Sequence, residues 1–217
     1  LARLGMAKAV MDLRNDRLIG AADPGRSNDT LEDVWALTDD KTQIEPEDTK
    51  DCSWSVRVVD EERKFNINFL NPGSRLIFEY LLINVSGMDE EVAKQITSAL
   101  IDYVDGNPEA SDSQGESEIE YYTEWGRKDF GESLPADWTF RPKNEPLLTI
   151  DELLEIPGLT REVLFGDPKE TVLDPIERID SKEPSRALCD YITVCPTQSV
   201  NLNTCPAPVL SAILYAA

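Results

Sequence analysis

The sequence holds no histidine. That removes the commonest general base and the commonest protein ligand for zinc and iron. A Ser-His-Asp triad is impossible here, and so is any His-bearing metal cluster. Other groups can still catalyse, but the case for an enzyme weakens. Basic residues are scarce: 21 Lys and Arg stand against 42 Asp and Glu, a net charge of −21. Affinity for nucleic-acid phosphates comes from Lys and Arg displacing counterions. This charge therefore opposes DNA, RNA and anionic lipid at long range, and it favours divalent cations and basic partner surfaces. The densest basic stretches, 14–17 and 57–64, are interrupted by acids. No run of 18 apolar residues occurs, so no membrane span is read, and no signal peptide is evident. None of the four cysteines, Cys52, Cys189, Cys195 and Cys205, forms a C-x-x-C pair, which argues against a zinc ribbon or a thioredoxin-type site. Their even number suits disulfides in an oxidising compartment and equally suits buried thiols in a reducing one.

What is present is a chain of 217 residues, 41% hydrophobic, enough for a sizeable core in one or two domains. It opens on Leu rather than Met in the middle of a helical pattern, which leads us to expect that an upstream segment has been removed. Residues 1–20 space Leu1, Leu4, Met11 and Leu13 roughly as on one helix face, with Gly20 as a stop. Residues 21–50 are acidic and turn-rich, apart from an apolar patch at Leu31, Val34, Trp35 and Leu37 that predicts a small anchoring helix. From Ser53 the period changes. Trp54, Val56 and Val58 alternate, then Phe65, Ile67 and Phe69, with Asp60-Glu61-Glu62 as the turn, so an antiparallel hairpin is predicted. Ser74 is placed to cap a helix through Leu82, and Asp89-Glu90-Glu91 opens another whose inner face holds Ile96, Leu100 and Tyr103. Residues 150–159 predict a third helix capped by Thr149, and 161–166 a short one. Residues 187–196 and 199–205 predict strands, and a helix follows Pro206. Asn-apolar-Asn, a turn and an apolar helix occur twice, at 65–82 and 200–214.

The densest chemistry lies in residues 99–122. Asp102, Asp105, Asn107, Glu109, Asp112, Glu116, Glu118 and Glu120 supply hard oxygen atoms within one loop, and calcium takes six to eight such ligands. Gly106 and Gly115 offer the sharp turns such a loop needs. The EF-hand pattern is not matched. Spacing leaves two readings, a calcium loop and a solvated acidic loop, and charge runs are more often the latter. Tyr121, Tyr122, Trp125 and Trp138 read as core or interface rather than as a platform for bases.

The segments DTLEDVWAL, KFNINFLN, IDYVDGNPE, GESEIEYY, KNEPLLTIDELLEIPGLT, CDYITVCP and VNLNTCPAPVL run in one order over residues 29–214. Together they resemble the minor pseudopilins of the K type from type II secretion systems. The resemblance implies an α+β fold: a pilin-like N-terminal helix and antiparallel sheet at 1–71, a large inserted all-helical domain of helix-hairpin-helix character at 72–188, and return strands and a helix at 189–217. It implies a non-enzymatic protein of the inner membrane, facing the periplasm, at the pseudopilus tip. Its partners would be the I-type and J-type minor pseudopilins and other secretion components. It would not bind nucleic acid, and it would meet the membrane only through an N-terminal helix that precedes this chain. It also implies calcium in the loop above, with Asp105, Asn107 and Glu118 falling on the family's positions and Asp102 and Asp112 beside them. A periplasmic location implies a disulfide, with Cys195 to Cys205 as the first pairing to expect. In this chain the four cysteines and the end at Ala217 depart from the family's usual pattern.

Two other classes compete. Residues 199–210 also begin as helix-hairpin-helix DNA-binding segments do, as in competence-type proteins. Such a hairpin meets phosphate only where basic residues surround it, and the neighbours here are acidic. A calcium-dependent hydrolase would need a base and a nucleophile that the sequence does not supply.

Overall fold

The computed structural model describes residues 2–22, 28–33, 35–36, 58–113, 115–167, 185–197 and 199–217. Trp54, Val56 and Cys52 lie outside them. The chain divides into two compact units, Leu1–Arg63 with Asn201–Thr204, and Lys64–Val200 with Cys205–Ala217.

The first unit contains helix α1 (Ala2–Ala22), which continues through Gly20, the position read as its stop. Lys8 and Asp12 pair across one turn at 2.6 Å. The small helix expected around Leu31 is a set of turns in the described residues, with Trp35 buried. Asp60 organises the rest. Thr204 Oγ1 donates to Asp60 Oδ2 at 2.6 Å, and Asn201 Nδ2 donates to the same oxygen at 3.1 Å and to the Asp29 carbonyl at 3.0 Å. The strand expected at 199–205 is a turn instead. Asn201 Oδ1 accepts the Asn203 N–H at 3.1 Å, a local side-chain bond that competes with extended pairing.

The second unit is mainly helical. Helices α2 (Arg75–Asn84), α3 (Glu90–Val104), α4 (Glu118–Phe130), α5 (Arg161–Phe165) and α6 (Ala207–Ala216) enclose one core. Helix α2 packs on both α6 and α3. Its Phe78, Leu81 and Leu82 are fully buried, as are Ile96 and Ala99 of α3 and Val209 and Ala212 of α6. Each large apolar side chain removed from water in this way contributes roughly 1.5–3 kcal/mol. Asp89 Oδ1 caps α3 by accepting the Glu91 N–H at 2.9 Å, as its acidic opening predicts. Ser74 precedes α2 without capping it; its hydroxyl donates to the Phe69 carbonyl at 3.0 Å.

The α+β class stands in coarse form, but the sheet differs from expectation. Among the described residues it has two short strands, β1 (Phe65–Asn66) and β2 (Ile192–Thr193), and they run parallel. The antiparallel hairpin read from alternation is absent among the described residues: Glu61–Arg63 is one 3-10 turn and Ile67–Phe69 another. The cause lies in Asn66, whose Oδ1 accepts the Asn68 N–H at 3.0 Å and turns the chain after two strand residues. The expected strand at 187–196 likewise shrinks to Ile192–Thr193 behind a 3-10 turn at Leu188–Asp190. The third helix is a 3-10 helix, Ile150–Glu155, whose Glu152 reaches back to the Thr149 N–H at 2.9 Å.

Candidate metal centre

The acidic loop is a small bow between α3 and α4. Asp105 ends α3, its N–H donating to the Ile101 carbonyl at 3.0 Å. Two local turns follow. Asp105 Oδ1 accepts the Asn107 N–H at 3.0 Å, and Asn107 Oδ1 accepts the Glu109 N–H at 2.8 Å. The arms then pair antiparallel at Glu109 and Ser117. Ala110 N–H meets the Glu116 carbonyl at 3.0 Å, and Glu118 N–H meets the Pro108 carbonyl at 3.2 Å. Gly115 supplies the reversal at φ +83°, whereas Gly106 keeps an ordinary φ.

This bow returns the chain so that the first residue of α4, Glu118, is buried. Its exposure is 1%, and neither carboxylate oxygen has a hydrogen-bond partner among the described residues. A buried, unpartnered carboxylate is costly in its charged form. Burial pushes the Glu118 carboxyl up to about 7, and the nearby charges of Asp102 and Asp105 push the same way. A position in the first turn of a helix should favour a negative charge, so burial outweighs the helix dipole here.

Asp102 faces the same space from α3 and is fully buried. Its oxygens are well supplied with donors. Ser111 N–H and the Tyr122 hydroxyl both donate to Oδ2 at 2.7 Å, and the Ser111 hydroxyl donates to Oδ1. Burial pushes the Tyr122 hydroxyl far up, and its bond to Asp102 adds to that. Tyr122 stands one helical turn beyond Glu118, on the same face of α4. The sequence read Tyr122 as core or interface. The four-residue step from Glu118 to Tyr122 was the signal that placed its hydroxyl in this site.

The structure thus gathers Asp102, Asp105 and Glu118 closely enough for their charges to couple. Asn107 and Asp112 lie on the exposed outer rim, and Asn107 is turned toward Asp105. The two orphaned oxygens of Glu118 are the one feature here that a hard cation would satisfy.

Sequence reasoning missed a second acidic group, in the first unit. Carboxylate oxygens of Asp16, Asp29 and Asp33 all lie within 4.8 Å of one another. The Asp102, Asp105 and Glu118 set does not meet that spacing. Burial and the charges of Asp60, Asp16, Asp33 and Glu62 raise the Asp29 carboxyl. Asp33 Oδ2 already accepts the Thr30 N–H at 2.6 Å, and all three residues are half-buried or exposed. The cysteine pairing first expected is not formed, since Cys195 carries an exposed thiol and is not joined to Cys205.

Residues 63–165 match a family model described as type II secretion system (T2SS), protein K. That span holds Asn66, Asn68, the helices α2 to α5 and the whole acidic bow. No curated protein matches the chain.

Proposed function

The chain belongs to the type II secretion system protein K family through residues 63–165, and on that premise we propose that it is a non-enzymatic minor pseudopilin that caps the pseudopilus tip. A role in type II secretion follows from the family itself. The capping role adds a mechanism, in which a bulky helical body on a filament subunit blocks the addition of further subunits above it. The single observation that carries this is the second unit, where five helices close on one core within and around the matched span. The I-type and J-type minor pseudopilins would be its partners. Their docking would use α1, on which Met6, Val10, Met11, Leu13, Leu18 and Ile19 are all exposed. No described helix is long and apolar enough to cross a membrane, so a periplasm-facing site at the inner membrane rests on the family alone. The two-unit division of the described residues leaves the three-part organisation at 1–71, 72–188 and 189–217 as part of this proposal.

We also propose that calcium binds at the acidic bow, held by Asp105, Asn107 and Glu118 with Asp102 and Asp112 contributing. Bound there, the ion would neutralise the buried carboxylates and tie the loop to α3 and α4. The DNA-binding reading gains nothing from the structure, because Asn201 and Thr204 spend their side chains on Asp60 and on the Asp29 carbonyl.

Co-expression with matched I-type and J-type pseudopilins tests the assembly role. A ternary complex that survives size-exclusion chromatography is expected. Three separate species, with each protein folded, would overturn it.

A further inference from the structure

Two features of the acidic bow are not explained by cation ligation alone. Asp102 is the best-satisfied carboxylate of the site, while Glu118, beside it, is the least satisfied. An ionised carboxylate has about four lone-pair positions. Oδ2 of Asp102 fills both of its own with Ser111 N–H and the Tyr122 hydroxyl, each at 2.7 Å. Oδ1 accepts from the Ser111 hydroxyl and keeps one position open. Three donors therefore fix the carboxylate in a single orientation and leave one oxygen lone pair available. The donors come from different places: Ser111 from the bow, Tyr122 from α4. Tyr122 is itself held on all sides, with ring centroids 5.0 Å from Phe140, 5.0 Å from Tyr121 and 6.1 Å from Trp125. Its hydroxyl has little freedom to point elsewhere.

We infer that Tyr122 and Ser111 are positioning residues for the cation site, holding Asp102 so that its Oδ1 stays available alongside Glu118. This rests on the calcium reading above. Partners that orient metal-binding carboxylates typically govern metal affinity by about 10–100-fold. Tyr122 also links that orientation to helix packing, because the side chain that bonds Asp102 is one of the largest fully buried in the protein.

The test is calcium titration of the whole chain by calorimetry, with wild type, Tyr122→Phe, Ser111→Ala and Val209→Ala. Tyr122→Phe removes one oxygen and keeps the ring. Ser111→Ala removes the hydroxyl donor to Asp102 Oδ1 at a position that is itself exposed and keeps the Ser111 N–H bond to Oδ2. Val209→Ala weakens the core in α6, away from the bow, and reports what lost stability alone does to affinity. Calcium Kd is expected to rise by about 10-fold or more in the first two variants and to stay unchanged in Val209→Ala. Wild type that takes up no calcium removes the site, and the positioning role with it. Wild type that binds, with both hydroxyl variants binding equally well, leaves the site standing and overturns the role. An equal loss in Val209→Ala would also overturn it, since affinity would then follow stability. If Tyr122→Phe does not fold, Ser111→Ala decides the matter alone.

Discussion

Asn68 and Leu147 hold each other by a reciprocal pair of hydrogen bonds: Leu147 N–H donates to Asn68 Oδ1 at 2.8 Å, and Asn68 Nδ2 donates to the Leu147 carbonyl at 3.0 Å. A side-chain amide is the only group that gives both halves at this reach. Asn66 acts in the same way on the other side of the chain, with Nδ2 donating to the Cys195 and Thr197 carbonyls at 2.7 and 3.0 Å. The Asn-Ile-Asn sequence thus fastens two distant backbone segments, at Leu147 and at Cys195–Thr197. Asn68→Asp keeps the acceptor and loses the donor, leaving the Leu147 carbonyl facing a negative charge. A stability loss of about 1–3 kcal/mol is expected, read as a lower denaturant midpoint with an unchanged slope. An unchanged midpoint would mean the pair is incidental.

These asparagines also show how far the sequence could be read. Helices α2, α3 and α6 were legible because apolar spacing, Asp89 and Pro206 all act locally. The strands were not. Phe65, Ile67 and Phe69 alternate as a strand does, but Asn66 turns its own backbone after two residues, and β1 finds its partner far along the chain at Ile192. No local pattern encodes that pairing. In the acidic bow, the ligand types and Gly115 were legible from composition. Which carboxylate would be buried without a partner, and which would be locked by a tyrosine, depended on how α4 docks on α3. The cluster at Asp16, Asp29 and Asp33 was invisible for the same reason.

Gly126 sits inside α4, where Ala would ordinarily improve a helix by about 1 kcal/mol. The surroundings reverse the sign. A Cβ at Gly126 would stand 2.8 Å from Trp138 Cζ3 and 3.0 Å from Pro157 Cγ. Overpacking of this kind costs about 1–3 kcal/mol, so Gly126→Ala should be net destabilising by up to about 2 kcal/mol. Gly106→Ala is the contrast, because nothing lies within 4 Å of its added atom and its φ is ordinary. Thermal melts should separate the two. A more stable Gly126→Ala would show that Trp138 yields readily.

The Glu118 carboxyl gives the protein a specific dependence on pH. Its folded value is raised from 4.5 to about 7, so between those values the folded chain holds a proton that the unfolded chain has released. Stability must then fall as pH rises through that window and level off above it. This is the opposite of a salt-bridged carboxylate such as Glu152. Burial works to raise Glu152, but Lys143 and the N–H groups of Leu148 and Thr149 outweigh it and lower the group. Denaturant midpoints in chelator, measured from pH 4.5 to pH 7, should show the decline for wild type. Saturating calcium should remove it, because the ion stabilises the ionised form. A decline unchanged by calcium would place the titrating group elsewhere.

Glu118→Gln separates the cost of the buried charge from its use. The amide has nearly the shape of the protonated acid and cannot ionise. In chelator above pH 7 the variant should be more stable than wild type, since it never places a charge among Asp102 and Asp105. In calcium the order should reverse. Ligand at about 100 times its Kd stabilises a binding protein by about 2.7 kcal/mol, and a site that has lost its one unpartnered buried carboxylate should recover little of that. Melting temperatures of the two proteins, each with calcium and with chelator, give four values that decide it. The crossing of the two orders is the expected result. If Glu118→Gln is the less stable protein in both conditions, Glu118 is a structural group, and the bow is an acidic loop rather than a metal centre.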